Sequence, residues 1–149
     1  MSHLQRVGAA TEERFLTIAQ RQPNDPDWFI TVTAASPELD ARGVDMIAHI
    51  YMADDVGPTQ VPIQVKSSYA GRALYKAIHP KNIAAGVLVI VVHKDNSNEN
   101  VRKYLFRLLQ QVRTQNKRYE EFLDELLSQE MSSRGQQNEK RIRAQRKKG

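Results

Sequence analysis

The residues best able to do chemistry in this sequence are carboxylates, an amide and an ammonium within its first 66 positions. Glu12 and Glu13 stand together, Asp45 follows directly on Gly43-Val44, and Gln64 and Lys66 lie two apart in VPIQVKSSY, residues 61–69. Residues two apart in a strand share a face, ~6–7 Å from one another, so Gln64 and Lys66 sit opposite Val61, Ile63 and Val65. Brought to one point, such groups offer oxygen donors for a hard cation and a positive charge for a developing anion. Those are the materials of metal-assisted hydrolysis. Taken singly, the Gln64/Lys66 pair reads as a half-solvated strand edge, and Asp45 as a turn or strand-edge residue. Only the ordered set favours chemistry.

The elements that must position this set are legible from periodicity. Ala9 to Arg21 is predicted as a first helix, with Thr11 as its N-cap and Phe15, Leu16 and Ala19 at helical spacing. Glu12 shares that apolar face and is preferred to Glu13, whose neighbours Thr17 and Gln20 are polar. Trp28 to Ala34 is a β-rich candidate strand, and Ser36 to Gly43 reads as a polar loop. Val44–Met52 and Gln60–Ser67 flank the turn signal of Ala53–Thr59 and form a predicted hairpin. Ser68 to His79 is a short helical or irregular segment stopped by Pro80. Ala84 to His93 (AAGVLVIVVH) is expected to be a buried central strand. Asn96 to Thr114 is expected to be an amphipathic helix with Val101, Tyr104, Leu105, Leu108, Leu109 and Val112 on one stripe. Asn116 to Met131 continues or restarts it. The domain reading is therefore an α/β domain over 1–115, an amphipathic helix over 116–133 and a basic tail over 134–149, expected to be disordered when free.

The helix Glu, Gly43-Val44-Asp45 on one strand and Gln64-Val65-Lys66 on its hairpin partner together resemble the PD-(D/E)XK, or restriction-endonuclease-like, nuclease superfamily. Within it they are most similar to the branch of archaeal Holliday-junction resolvases and Mrr-type restriction endonucleases. The likeness spans roughly residues 8 to 110. It implies a three-layer α/β sandwich around a small mixed sheet, with an α-β-β-β-α-β core and a C-terminal helical extension. It also implies a metal-dependent DNA endonuclease of restriction, repair or recombination type, with Glu12, Asp45, Gln64 and Lys66 as the catalytic set. By that resemblance Mg²⁺, replaceable by Mn²⁺, is held by Asp45, the Gln64 side-chain oxygen and the Val65 carbonyl. Glu12 approaches from the helix, directly or through water, and Lys66 serves the attacking water. Two departures stand out. Val44 occupies the position that the superfamily's name gives to Pro, and Gln64 replaces an acid. The second removes one negative charge and weakens cation binding, so the alternative is a catalytically weak or inactive nuclease-fold protein that binds nucleic acid or a protein partner.

The resemblance also places Ser67, Ser68, Tyr69 and Arg72 beside the scissile phosphate, although either serine is equally a helix cap. His49 shares the strand face of Asp45 but reads as a packed or edge residue, and His79 and His93 read as loop residues. No His pair has zinc-ligand spacing, and neither G-x-x-x-x-G-K-[ST] nor G-x-G-x-x-G occurs, so no zinc site or nucleotide cofactor is expected. The absence of cysteine fits a reducing, cytoplasmic location. With no leader-like start and no long apolar run, no membrane association is expected. The net charge of +5 is concentrated at the C-terminus, where Arg134, Lys140, Arg141, Arg143, Arg146, Lys147 and Lys148 face only Glu139. Those seven cations are a candidate clamp on a DNA backbone. Cutting both strands generally takes two sites, so a homodimer is expected, with the Phe122/Leu126 helix as candidate interface. A helical interaction module over 99–131 is a third reading.

Overall fold

The computed structural model describes residues 3–53 and 57–114, with side chains from residue 7 onward. These residues lie in the first of the chain's two units, Met1–Tyr119; the second is Glu120–Gly149. The predicted 116–133 helix, its dimer surface and the basic tail with Lys140, Arg141, Arg143, Arg146, Lys147 and Lys148 lie outside the described residues.

Helix α1 (His3–Ile18) starts well ahead of the predicted Ala9. Thr11, expected as its cap, is internal, and its hydroxyl donates to the Val7 carbonyl at 2.8 Å. Ala9 and Ala10 are strong helix formers and Gly8 costs only about 1 kcal/mol, so nothing upstream of Thr11 halts the helix. Strand β1 (Phe29–Ala34) follows, close to its predicted span. The expected polar loop after it contains a short helix, α2 (Pro37–Asp40). Ser36 caps it by accepting the Leu39 N–H, and Pro37 presets its first turn.

Strands β2 (Met46–Tyr51) and β3 (Pro58–Lys66) form the predicted hairpin, with Met46 opposite Ile63 and Ala48 opposite Val61. Helices α3 (Tyr69–Ile78) and α4 (Pro80–Ala85) lead to strand β4 (Leu88–Val91) and then helix α5 (Asn98–Thr114). Among the described residues the sheet has the order β1-β2-β3-β4, antiparallel except for the β3/β4 pair, so it is small, open and mixed.

Two expectations about the middle of the chain are corrected. Pro80 does not simply end a helix; it occupies the first turn of a new one, where its fixed φ suits the helix and its missing N–H costs nothing. The strand expected from Ala84 to His93 is therefore only Leu88–Val91, because Ala84 and Ala85 complete α4 and Gly86 caps it at φ 106°. Nor is β4 central, since it terminates the sheet order. Its apolar character reflects cover from helices on both faces rather than strands on both sides.

One face of the sheet carries the core. Val61, Ile63 and Val65 of β3 join Met46, Ala48 and Ile50 of β2 against Phe15, Ile18 and Ala19 of α1 and Val101, Leu105, Leu109 and Val112 of α5. Each of the larger side chains contributes ~1.5–3 kcal/mol on burial. Tyr104, predicted on the same α5 stripe, is 39% exposed and sits at its margin. Arg14 clips α1 to the loop after β4 by donating to the carbonyls of His93 and Asn96 and to Asn98 Oδ1. Arg102 ties α5 to the loop after α1 through the Ile18 carbonyl and the Asp25 carboxylate. Helix α3 lies on the opposite face of β3, the face of Gln64 and Lys66.

Candidate active site

The Gly43-Val44-Asp45 segment is held from every side, and each residue type has a physical reason. Gly43 sits at φ 88°, where a side chain is strained, and a Cβ there would come within 3.0 Å of the Tyr75 ring. Its carbonyl accepts the Tyr75 hydroxyl at 2.7 Å. Asn82 completes the brace by donating to the Tyr75 oxygen at 3.1 Å and to the Arg42 carbonyl at 2.8 Å. Val44 is fully buried. Asp45 then enters the sheet: its N–H donates to the Ile63 carbonyl, and its own carbonyl accepts from Ala35.

The Asp45 carboxylate reaches across to β3, where Oδ2 accepts the Val65 N–H at 2.9 Å. Gln64 and Lys66 flank that residue, so the sheet register delivers both beside Asp45. Burial pushes the Asp45 carboxyl above its ordinary range. The Val65 N–H and the Lys66 ammonium oppose that rise, while the Asp40 carboxylate adds to it. Glu12 joins from α1. It is half-buried whereas Glu13 is exposed, in line with the preference for Glu12. Its pKa is pushed up to about 7, first by burial, then by the negative charges of Asp45 and Asp40, with Lys66 pulling the other way. Glu12, Asp40, Asp45 and Lys66 thus feel one another's fields, with three anions around one cation.

Gln64 is only 6% exposed, and its Oε1 meets no hydrogen-bond donor among the described residues. An unmet buried carbonyl costs about 1–3 kcal/mol, which apolar Leu or Met would not. The observation fits a hard cation, because a neutral amide oxygen is a donor that Mg²⁺ accepts. Among the described residues no three His, Cys, Asp or Glu side chains gather as a metal-holding group. The oxygens on offer are those of Asp45 and Glu12 and the neutral ones of Gln64 and Val65, but Glu12 comes from the helix packed on the Val61, Ile63 and Val65 face of β3 whereas Gln64 lies on the other face. Lys66 lays its stem along Gly71 of α3, and its Nζ lies 5.6 Å from the centre of the Tyr75 ring.

Around this centre, Ser68 takes the capping role: its Oγ accepts the Gly71 N–H at 3.0 Å and starts α3. Ser67 instead lines a cleft of about 400 Å³ with Val7, Ala10, Thr11 and Arg14 of α1 and Lys94 beyond β4. Arg72 stands on α3, its guanidinium 5.1 Å from the ring centre of exposed Tyr69. His49 lies away from chemistry, paired with Thr33 Oγ1 at 2.8 Å, and burial lowers its pKa. His79 lies in the link between α3 and α4, as expected of a loop residue, with its ring 4.7 Å from that of Tyr75.

Asp40, Tyr75 and Asn82 were not singled out from the sequence, since no motif marks them and only the tertiary fold brings them to Gly43 and Asp45. A second missed feature does have a sequence signal. Between Asp55 and Asp95 there is no acid, while Lys66, Arg72, Lys76, Lys81 and Lys94 all fall there. The near-neutral sum outside the tail hides this segregation, which leaves α3 and α4 basic beside the candidate site. No helix among the described residues is long and apolar enough to cross a membrane. Comparison with family models, with curated proteins and with solved structures returns no match.

Proposed function

We propose that this chain is a metal-dependent endonuclease acting on DNA, with Glu12, Asp45, Gln64 and Lys66 as its active site. The observation that carries the reading is the buried Gln64 oxygen, which meets no donor among the described residues, one position before Val65, whose N–H donates to the Asp45 carboxylate. The element order supports it: with the short α2 and α4 set aside, the chain runs α-β-β-β-α-β-α, the order the restriction-endonuclease-like resemblance implies. Asp45, Gln64 Oε1 and the Val65 carbonyl would hold Mg²⁺ or Mn²⁺, with Glu12 adding its carboxylate from α1. When bound, such a cation polarises a phosphate and acidifies a water.

The remaining work falls to the chain's own groups. Lys66 would place a positive charge where a phosphoryl oxygen gains negative charge, its stem passing α3 at Gly71. Glu12, whose carboxyl is pushed up to about 7 in the metal-free chain by burial and by Asp45 and Asp40, would give up its proton on taking up the cation. Tyr75 and Asn82 act as positioning residues, because they set the turn that aims Asp45. The basic surface of α3 and α4 supplies attraction for the DNA backbone.

Incubation with plasmid, branched and single-stranded DNA in Mg²⁺ or Mn²⁺ tests this directly. Wild type should cut at least one substrate, and Asp45→Ala and Lys66→Ala should not. Absence of cutting, or variants as active as wild type, defeats the catalytic reading. The second reading, a nuclease-like domain that binds without cutting, is favoured by the neutral Gln64 in place of an acid. Calorimetry with Mn²⁺ separates the two, since only an intact site takes up the cation with a stoichiometry that Asp45→Ala abolishes.

A further inference from the structure

A second, smaller pocket lies across β4 from the cleft beside α1. Its volume is about 180 Å³, and it is framed by Tyr69 and Arg72 at the start of α3, Asn96, Asn100 and Tyr104 around the start of α5, and Val91 of β4. Val92, the next residue along, lines the other cleft, as the alternation of extended chain requires. Tyr69 follows the Lys66-Ser67-Ser68 end of β3 directly, so this pocket opens within a few residues of the proposed catalytic lysine.

Its chemistry is specific. Two tyrosines, 68% and 39% exposed, present aromatic faces that contribute little to the core. The Arg72 guanidinium is already placed over the Tyr69 ring, giving a flat cationic platform. The Asn100 side chain brings a paired donor and acceptor, the equipment that reads the edge of a heterocyclic base, and Asn96, whose Oδ1 accepts the His93 N–H, adds its amide donor. The volume is below the ~300–1,000 Å³ of sites for drug-sized ligands, which suits one flat ring system. On the α3 side of the pocket no acid falls between Val56 and Lys94, which suits a polyanion, while exposed Asp95 and Glu99 stand on the α5 side. A duplex keeps its bases stacked and cannot fill such a pocket; an unpaired nucleotide can.

We propose that this pocket receives an unpaired nucleobase, making single-stranded or gapped nucleic acid the substrate class of the neighbouring site. The inference deepens the endonuclease reading and rests on it for the word substrate, but binding can be measured without catalysis. The probe is an oligonucleotide carrying 2-aminopurine at one unpaired position, titrated with the full chain in EDTA, beside the same sequence fully paired. Stacking on Tyr69 should quench the unpaired probe. Tyr69→Ala should weaken its binding by on the order of 10- to 100-fold and abolish the quenching, with a smaller loss for the paired probe. Tyr69→Phe should restore both, and Asn100→Ala should weaken binding selectively for some bases.

Equal affinity for paired and unpaired probes, or a Tyr69→Ala protein that still quenches, overturns the proposal. So does free 2-aminopurine riboside that competes as well as the oligonucleotide, since the pocket would then serve a small molecule. Failure of the endonuclease reading has a different signature: quenching and its Tyr69 dependence persist in EDTA, while no DNA is cut in Mg²⁺.

Discussion

Replacing Glu12 by Gln should make the metal-free protein more stable while destroying its activity. In the folded state Glu12 faces the charges of Asp45 and Asp40 in a half-buried setting, and its pKa rises from 4.5 to about 7. Native protein therefore holds the Glu12 proton more tightly than unfolded protein does. Stability falls as pH rises from 4.5 to 7, and above 7 the whole penalty of the ionised carboxylate is present. At ~1.36 kcal/mol per pKa unit the full displacement corresponds to ~3 kcal/mol. Solvent screening of a group that keeps much of its exposure reduces this to about 1–2 kcal/mol. Glu12→Gln removes the charge and keeps the shape. Urea unfolding in EDTA should find the variant about 1–2 kcal/mol more stable than wild type at pH 8, with the difference closing by pH 4.5. Added Mg²⁺ should stabilise wild type at pH 8 and the variant less, because binding to the native state alone shifts the equilibrium. An equal gain at pH 4.5 and pH 8 would refute the reasoning, since helix propensity rather than charge would then be its source. A variant less stable than wild type at pH 8 would refute it more directly.

Other substitutions probe the same centre. Gln64→Leu should stabilise the metal-free protein by about 1–3 kcal/mol by removing the unmet oxygen. Gln64→Glu should destabilise it at pH 8 while tightening Mn²⁺ binding, and unfolding curves with calorimetry check both. Tyr75→Phe should cost about 1–3 kcal/mol through the Gly43 carbonyl and Asn82 amide it strands, and should lower cleavage further by releasing the Asp45 turn. Gly43→Ala should cost a similar ~1–3 kcal/mol, because φ 88° and the Tyr75 ring both oppose a Cβ. Lys76→Glu with Lys81→Glu should weaken DNA binding across all sequences and flatten its salt dependence, measured by fluorescence anisotropy at two or more salt concentrations.

Much of the frame was legible in one dimension. The alternation of Val61, Ile63 and Val65 determined both the strand and the face that Gln64 and Lys66 share, because a period of two leaves no other placement. The apolar stripe of α5 and the preference for Glu12 over Glu13 came from helical spacing in the same way. Gly43-Val44-Asp45 also had a local signal, and the positive φ of Gly43 explains it. Where local rules competed, the sequence was ambiguous. Pro80 can end one helix or begin another, and an apolar run such as VLVIVV is buried equally well between strands or under helices. The final position of β4 at the sheet's edge depends on what packs over it. Least legible were groups that act only by proximity. Tyr75 and Asn82 gather at Gly43 because α3 and α4 fold back onto that turn, Asp40 is brought near Asp45 by the turn after α2, and the pocket of Tyr69, Asn100 and Tyr104 joins residues 31 to 35 positions apart. Side-chain type is written in the sequence, but burial, field and the unmet oxygen of Gln64 are properties of neighbours. Only the tertiary structure supplies them, since desolvation and Coulomb interaction depend on distance through space and not along the chain.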